Sequence, residues 1–92
     1  MLQGKITLNK QEESGTYKWD GIPTYMTCGF REKFGDEADE ILIASIALIL
    51  KKYPNNANYF QTFRYLYPDS REIRFWVIND IDHITALLPS EY

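Results

Sequence analysis

Between Tyr59 and Leu88 the side chains alternate with a period of two along successive stretches, a pattern that few arrangements other than an antiparallel sheet accommodate. Tyr59, Gln61, Phe63, Tyr65 and Tyr67 alternate with Phe60, Thr62, Arg64 and Leu66. Ile73, Phe75 and Val77 alternate with Glu72, Arg74, Trp76 and Ile78. Aromatic and β-branched residues at this period suit a pleated, half-buried surface. Asn79-Asp80-Ile81-Asp82 is turn chemistry, and His83 to Leu88 returns as a third strand until Pro89. Ile73, Phe75 and Val77 are expected to face the core. Arg64, Tyr65, Tyr67, Arg74 and Trp76 on the same ribbon are expected to face outward as a stacking or cation–π surface.

Residues 36–52 predict the one long helix. Gly35-Asp36 offers a start, with Asp36 as N-cap. Asp36, Glu37, Asp39 and Glu40 lie at the positive end of the helix dipole, and Lys51 and Lys52 at the negative end. Pro54-Asn55-Asn56 stops it. At about 100° per residue, Ala38, Ile41, Leu42, Ile46, Ile49 and Tyr53 share one face. Leu48 sits at one margin of that face, and Ile43 and Leu50 at the other. The apolar arc exceeds a surface stripe, which predicts a helix packed centrally on the sheet. Its surplus, Ile43 and Leu50, suits a homodimer or partner interface.

The first third of the chain is less regular. Residues 4–8 predict a short strand, residues 9–16 a loop, and Tyr17-Lys18-Trp19 a second short strand. Asp20-Gly21-Ile22-Pro23 is a turn. Tyr25 to Phe30 predicts another strand, with Gly29 marking a bulge or an end. The whole chain, 1–92, is therefore expected to be one α+β domain. Its helix lies on an antiparallel sheet that ends in a three-strand meander.

The 92 residues are 45% hydrophobic and 15% aromatic, which opposes disorder. The single cysteine, Cys28, cannot form an intramolecular disulfide, so packing must hold the fold. A reducing, cytoplasmic setting is expected. The first residues lack the apolar region of a secretory signal. The longest apolar stretch, Ile41 to Leu50, falls well short of the roughly 20 residues of a spanning helix, so no membrane partner is expected.

Net charge is −3, with a pI near 5.0. Such a balance disfavours nucleic acid, whose binders neutralise phosphates. Charge is nevertheless segregated: residues 36–50 hold four acids and no base, while residues 51–78 hold five bases and two acids. A small basic patch on an acidic protein follows.

There is no Gly-rich phosphate loop, no paired-cysteine metal motif and no nucleophile elbow. Cys28 and His83 would form a nucleophile–base pair only if the fold united them; a lone cysteine is more often a small buried hydrophobe. Asp80, Asp82 and His83 have metal-ligand chemistry, but turn formation accounts for them better. The acids Asp36, Glu37 and Glu40 fit either a basic partner or the solvated start of a helix. No residue set supports a reaction, so neither enzyme activity nor a cofactor or metal is expected.

Three segments resemble a known family: Tyr25-Met26-Thr27-Cys28-Gly29-Phe30, Tyr59-Phe60-Gln61-Thr62-Phe63, and Phe75 to Asp80 with His83 to Tyr92. The chain is similar there to a family of small proteins of unassigned function. Staphylococci and related Gram-positive bacteria carry that family, often on mobile elements. Cys28 stands where the pattern has a basic residue, and residues 1–20 lie outside the likeness. The resemblance implies a phage or mobile-element setting and brings no catalytic residues. Small acidic proteins of that setting suit occupation of a host protein's surface, as inhibitors of a defence nuclease of the CRISPR or restriction type. The alternatives are a nucleic-acid-binding accessory of element replication or transfer, and a structural homodimer.

Overall fold

The structure, a computed structural model, describes residues 2–92. Its strands are β1 (Lys5–Leu8), β2 (Thr24–Met26), β3 (Phe60–Leu66), β4 (Glu72–Asn79) and β5 (Ile84–Leu87). Helices α1 (Cys28–Phe34) and α2 (Ala38–Lys52) are joined by a 3-10 turn, Gly35–Glu37. A second 3-10 turn, Pro89–Glu91, follows β5. The five strands form one sheet in the order β1-β3-β4-β5-β2. All neighbours are antiparallel except β2 and β5, which run parallel. The fold is α+β, and the meander β3-β4-β5 is its centre.

Register explains the two faces. Phe63 lies opposite Phe75, and Val77 opposite Gln61 and Ala86; all five are buried. Phe63 and Phe75 stack with ring centroids 5.0 Å apart and planes within 4°. Phe30 and Phe34 of α1 meet Phe75 edge-on at 5.4 and 5.5 Å, and Phe34 meets Tyr65 at 5.6 Å. From α2, Ala38, Ile41, Leu42 and Ile49 complete this core. Truncating one such ring to alanine is expected to cost about 3–5 kcal/mol. Both helices therefore cover the same sheet face and leave the other without a helix. Ile73, Phe75 and Val77 face the helices, as the alternation predicts.

Four local expectations are corrected. Tyr17-Lys18-Trp19 is not a strand. It runs as extended coil beside residues 56–58, through Gly15 N to Asn56 O and Tyr17 N to Ala57 O, both 3.1 Å. A Cβ on Gly15 would lie 2.8 Å from Ala57 O, so only glycine allows this approach. Trp19 then inserts into the core at 2% exposure, its indole N–H donating to Asn58 O at 3.2 Å.

The strand expected over Tyr25 to Phe30 stops at Met26, because the Thr27 hydroxyl accepts from Phe30 N and starts α1. Asp36 is not an N-cap. It lies within the 3-10 turn, and α2 begins at Ala38 without a side-chain cap. Cys28 is exposed rather than buried.

Candidate partner-binding face

On β1, β3 and β4 the helix-free sheet face carries alternate residues: Lys5 and Thr7 of β1, Thr62, Arg64 and Leu66 of β3, and Glu72, Arg74 and Trp76 of β4. Arg64 and Arg74 lie directly across from one another in the β3–β4 register. Like charges at opposed positions destabilise a sheet. Glu72 sits between them, 3.4 Å from the guanidinium of Arg64 and 3.7 Å from that of Arg74. Arg64 Nε also donates to Asn9 Oδ1 at 3.2 Å, and Asn9 Nδ2 donates to Thr62 Oγ1 at 3.1 Å. Arg64 is thus tethered to Asn9 and Glu72 with its side chain 47% exposed, whereas the Arg74 side chain is 75% exposed. Asn9, Thr62, Arg64, Arg74 and Trp76 line a shallow depression.

An aromatic row borders the depression. Trp76 packs on Phe60 with centroids 4.9 Å apart and on Tyr92 at 5.4 Å. The row continues from Phe60 to Tyr59 at 6.1 Å and from Tyr59 to Tyr17 at 5.7 Å. Tyr17 and Tyr92 are exposed at its ends, and Tyr59 is exposed beside Tyr17. Of these five rings, sequence reasoning singled out only Trp76. Phe60 carried a readable signal, since it shares Trp76's face by parity. Tyr17 and Tyr92 are brought in by tertiary contact.

The structure separates the other expected contributors. Tyr65 does not belong to this face: it is 0% exposed and points at the helices. Its parity with Phe63 places it there, and its hydroxyl is satisfied by Gly4 N at 2.8 Å and Glu37 Oε2 at 3.1 Å. Burial, ahead of the Glu37 carboxylate, pushes the Tyr65 phenol above its usual range. Tyr67 lies on the helix side too, edge-on to Tyr65 at 4.9 Å, with the Arg71 guanidinium 4.3 Å over its ring. Burial raises its phenol as well.

Among the acids, Asp36 and Glu40 are exposed. Glu37 is half-buried and does structural work, its Oε2 accepting from Gln3 N at 2.8 Å as well as from Tyr65. Ile43 and Leu50 are exposed at 70% and 39%, on the flank of α2 away from β1.

At the β4–β5 hairpin, His83 Nδ1 lies 2.7 Å from Asp82 Oδ1 and Nε2 lies 3.2 Å from Asp80 Oδ2. Among the described residues no group of three or more His, Cys, Asp or Glu side chains is placed to hold a metal ion. Cys28 and His83 are not brought together. Met26 pairs with Ala86, so Cys28 lies past one end of β5 while His83 precedes the other. Among the described residues no helix is long and apolar enough to cross a membrane.

The tail after β5 folds back under α1. Glu91 Oε1 accepts from the Thr27 hydroxyl at 2.6 Å and from Leu88 N at 2.9 Å, while Oε2 accepts from Gly29 N at 3.2 Å. The Thr27 bond, ahead of those from Leu88 and Gly29, holds this carboxyl below its usual range. This clasp sets Tyr92 against Trp76 and so completes the aromatic row. Comparison with protein-family models, curated proteins and solved structures finds no match for the chain.

Proposed function

We propose that the protein is a non-enzymatic binding module that engages another protein through its helix-free sheet face. The observation that carries this reading is the opposed pair Arg64 and Arg74 beside the Phe60–Trp76 contact. The pair weakens the sheet, and a local rule broken on an uncovered surface is what a functional site shows. Arginine and tryptophan are the residue types that dominate interface energetics. The partner is a protein presenting carboxylates around an apolar spot, because two guanidinium groups share one carboxylate here.

The likeness to proteins of staphylococcal mobile elements directs the choice of partner to a host defence protein, a CRISPR or restriction nuclease. The test is co-elution with, and inhibition of, purified guide-loaded CRISPR effector nucleases and restriction endonucleases. Inhibition by the wild type that is lost in Trp76→Ala supports the reading. Neither co-elution nor inhibition across the set overturns it.

A second reading uses the same residues. Arginines interleaved with exposed rings also suit a single nucleic-acid strand. The net charge of −3 opposes it. Binding of single-stranded DNA that weakens steeply with salt would establish it, since phosphate contacts release counterions.

A further inference from the structure

β1 is an edge strand, and its free side is built to be covered. Asn9 N donates to Thr62 O at 3.0 Å. Asn9, Thr7 and Lys5 thus make the hydrogen-bonded pairs with β3, and by alternation Ile6 and Leu8 turn their main-chain groups outward. Leu8 O accepts Lys52 Nζ at 3.5 Å. Ile6 N–H, Ile6 C=O and Leu8 N–H remain directed at the edge. Beside them Leu2, Gly4, Ile6, Ala44, Ala47 and Leu48 line a largely apolar groove between β1 and α2, to which Lys5 and Lys51 also contribute. An uncovered edge next to apolar surface is a template for another strand.

The groove's helical wall is self-complementary. Glu40, Ala44, Ala47 and Lys51 fall on one stripe of α2 at about 100° per residue. Along that stripe the acid comes first and the cation last, and the two alanines sit symmetrically between them. A two-fold axis at the midpoint brings Ala44 against Ala47 of a second copy and Glu40 against Lys51 of that copy. The small alanines allow close approach of the two helices.

The strand obeys the same axis. β1 runs alongside α2 in the same direction: Gln3 N bonds Glu37 at one end, and Lys52 reaches Leu8 O at the other. Ile6 is therefore level with the middle of the helix. An axis through Ile6 sets β1 antiparallel to its copy, with Ile6 opposite Ile6 and Gly4 opposite Leu8.

We propose that two copies of this chain associate through β1 and the Glu40–Ala44–Ala47–Lys51 stripe, merging their sheets into one. The interface is isologous, the commonest form of closed assembly. It is distinct from the Ile43 and Leu50 flank. It also leaves the Arg64–Arg74 faces of both copies on one side of the merged sheet, free to engage a partner bivalently.

Sedimentation equilibrium or light scattering at micromolar concentration tests this. The wild type is expected at about twice the 10.8 kDa of one chain, and Ala47→Glu at the mass of one chain with an unchanged thermal melt. Lys51→Glu should weaken association at least about tenfold, because like charges then face each other across the axis. Glu40→Lys combined with Lys51→Glu should restore it by exchanging the signs. A monomeric wild type overturns the proposal. So does association that survives Ala47→Glu but is lost in Ile43→Glu, and so does a double variant that fails to recover.

Discussion

The Tyr65 hydroxyl donates to Glu37 Oε2 at 3.1 Å while accepting from Gly4 N at 2.8 Å. One buried phenol thereby joins β3, the approach to β1 and the start of α2. Tyr65→Phe keeps the ring contacts with Phe34 and Tyr67 but strands the Gly4 amide and leaves Glu37 Oε2 with only the bond from Gln3 N. The expected loss is about 1–2 kcal/mol. A domain this size should then melt roughly 4–8 °C lower per kcal/mol lost.

The same phenol gives an alkaline signature. Its pKa in the folded state is raised above the usual 10.0, chiefly by burial. The folded state then holds the proton more tightly than the unfolded chain. The contribution is fully present below pH 10.0 and disappears as pH rises through the folded value. Tyr65→Phe should flatten the loss of stability above that pH, as followed by chemical denaturation across the alkaline range.

Glu91 and Gly29 are coupled. A Cβ on Gly29 would lie 2.5 Å from Glu91 Oε2, so Gly29→Ala must expel the carboxylate from the start of α1. Gly29→Ala alone is expected to destabilise. In a Glu91→Ala background the conflict is gone, and the substitution should instead gain up to about 1 kcal/mol from helix propensity. A double-mutant cycle reads this reversal of sign. The Glu91 carboxyl, lowered chiefly by the Thr27 hydroxyl, gives an acid signature too. Its contribution is present above the unfolded value of 4.5 and lost as pH falls through the folded one. Glu91→Gln should remove that part of the acid sensitivity.

Two hairpin residues occupy conformations that favour glycine. Ser70 has φ +73° in the β3–β4 connection, after a turn closed by Ser70 N to Tyr67 O at 3.0 Å. Ile81 has φ +78° as the first residue of the two-residue loop between Asp80 and His83. A β-branched side chain at positive φ is strained. Ser70→Gly and Ile81→Gly should each stabilise by up to about 1 kcal/mol, read as a higher urea midpoint at constant slope.

Parity carried much of the fold in the sequence. The alternation through Phe63, Phe75 and Val77 located the core face, and the 3.6-residue pattern located α2. Parity also set Tyr65 and Tyr67 apart from Arg64, and their assignment outward followed residue type instead; a tyrosine can be buried once its hydroxyl finds Gly4 and Glu37. The helix α1 was hidden because Tyr25-Met26-Thr27 continues a strand pattern and Gly29 is a poor helix former. Its signal was Thr27 as cap with Phe30 and Phe34 four residues apart. The parallel pairing of β2 with β5 and the reach of Tyr17 and Tyr92 to the aromatic row depend on contacts distant in sequence, and no local pattern encodes them.

The role proposed for the sheet face of Arg64, Arg74 and Trp76 is binding of a protein partner. Its most direct measurement is inhibition of a purified defence nuclease that co-elutes with the wild type, titrated with wild type and with Trp76→Ala. Inhibition by the wild type is expected, with a loss of roughly 30-fold or more in the variant, the scale of a hot-spot residue of at least about 2 kcal/mol, and with the variant's fold intact by circular dichroism. Undiminished inhibition by a folded Trp76→Ala would contradict it.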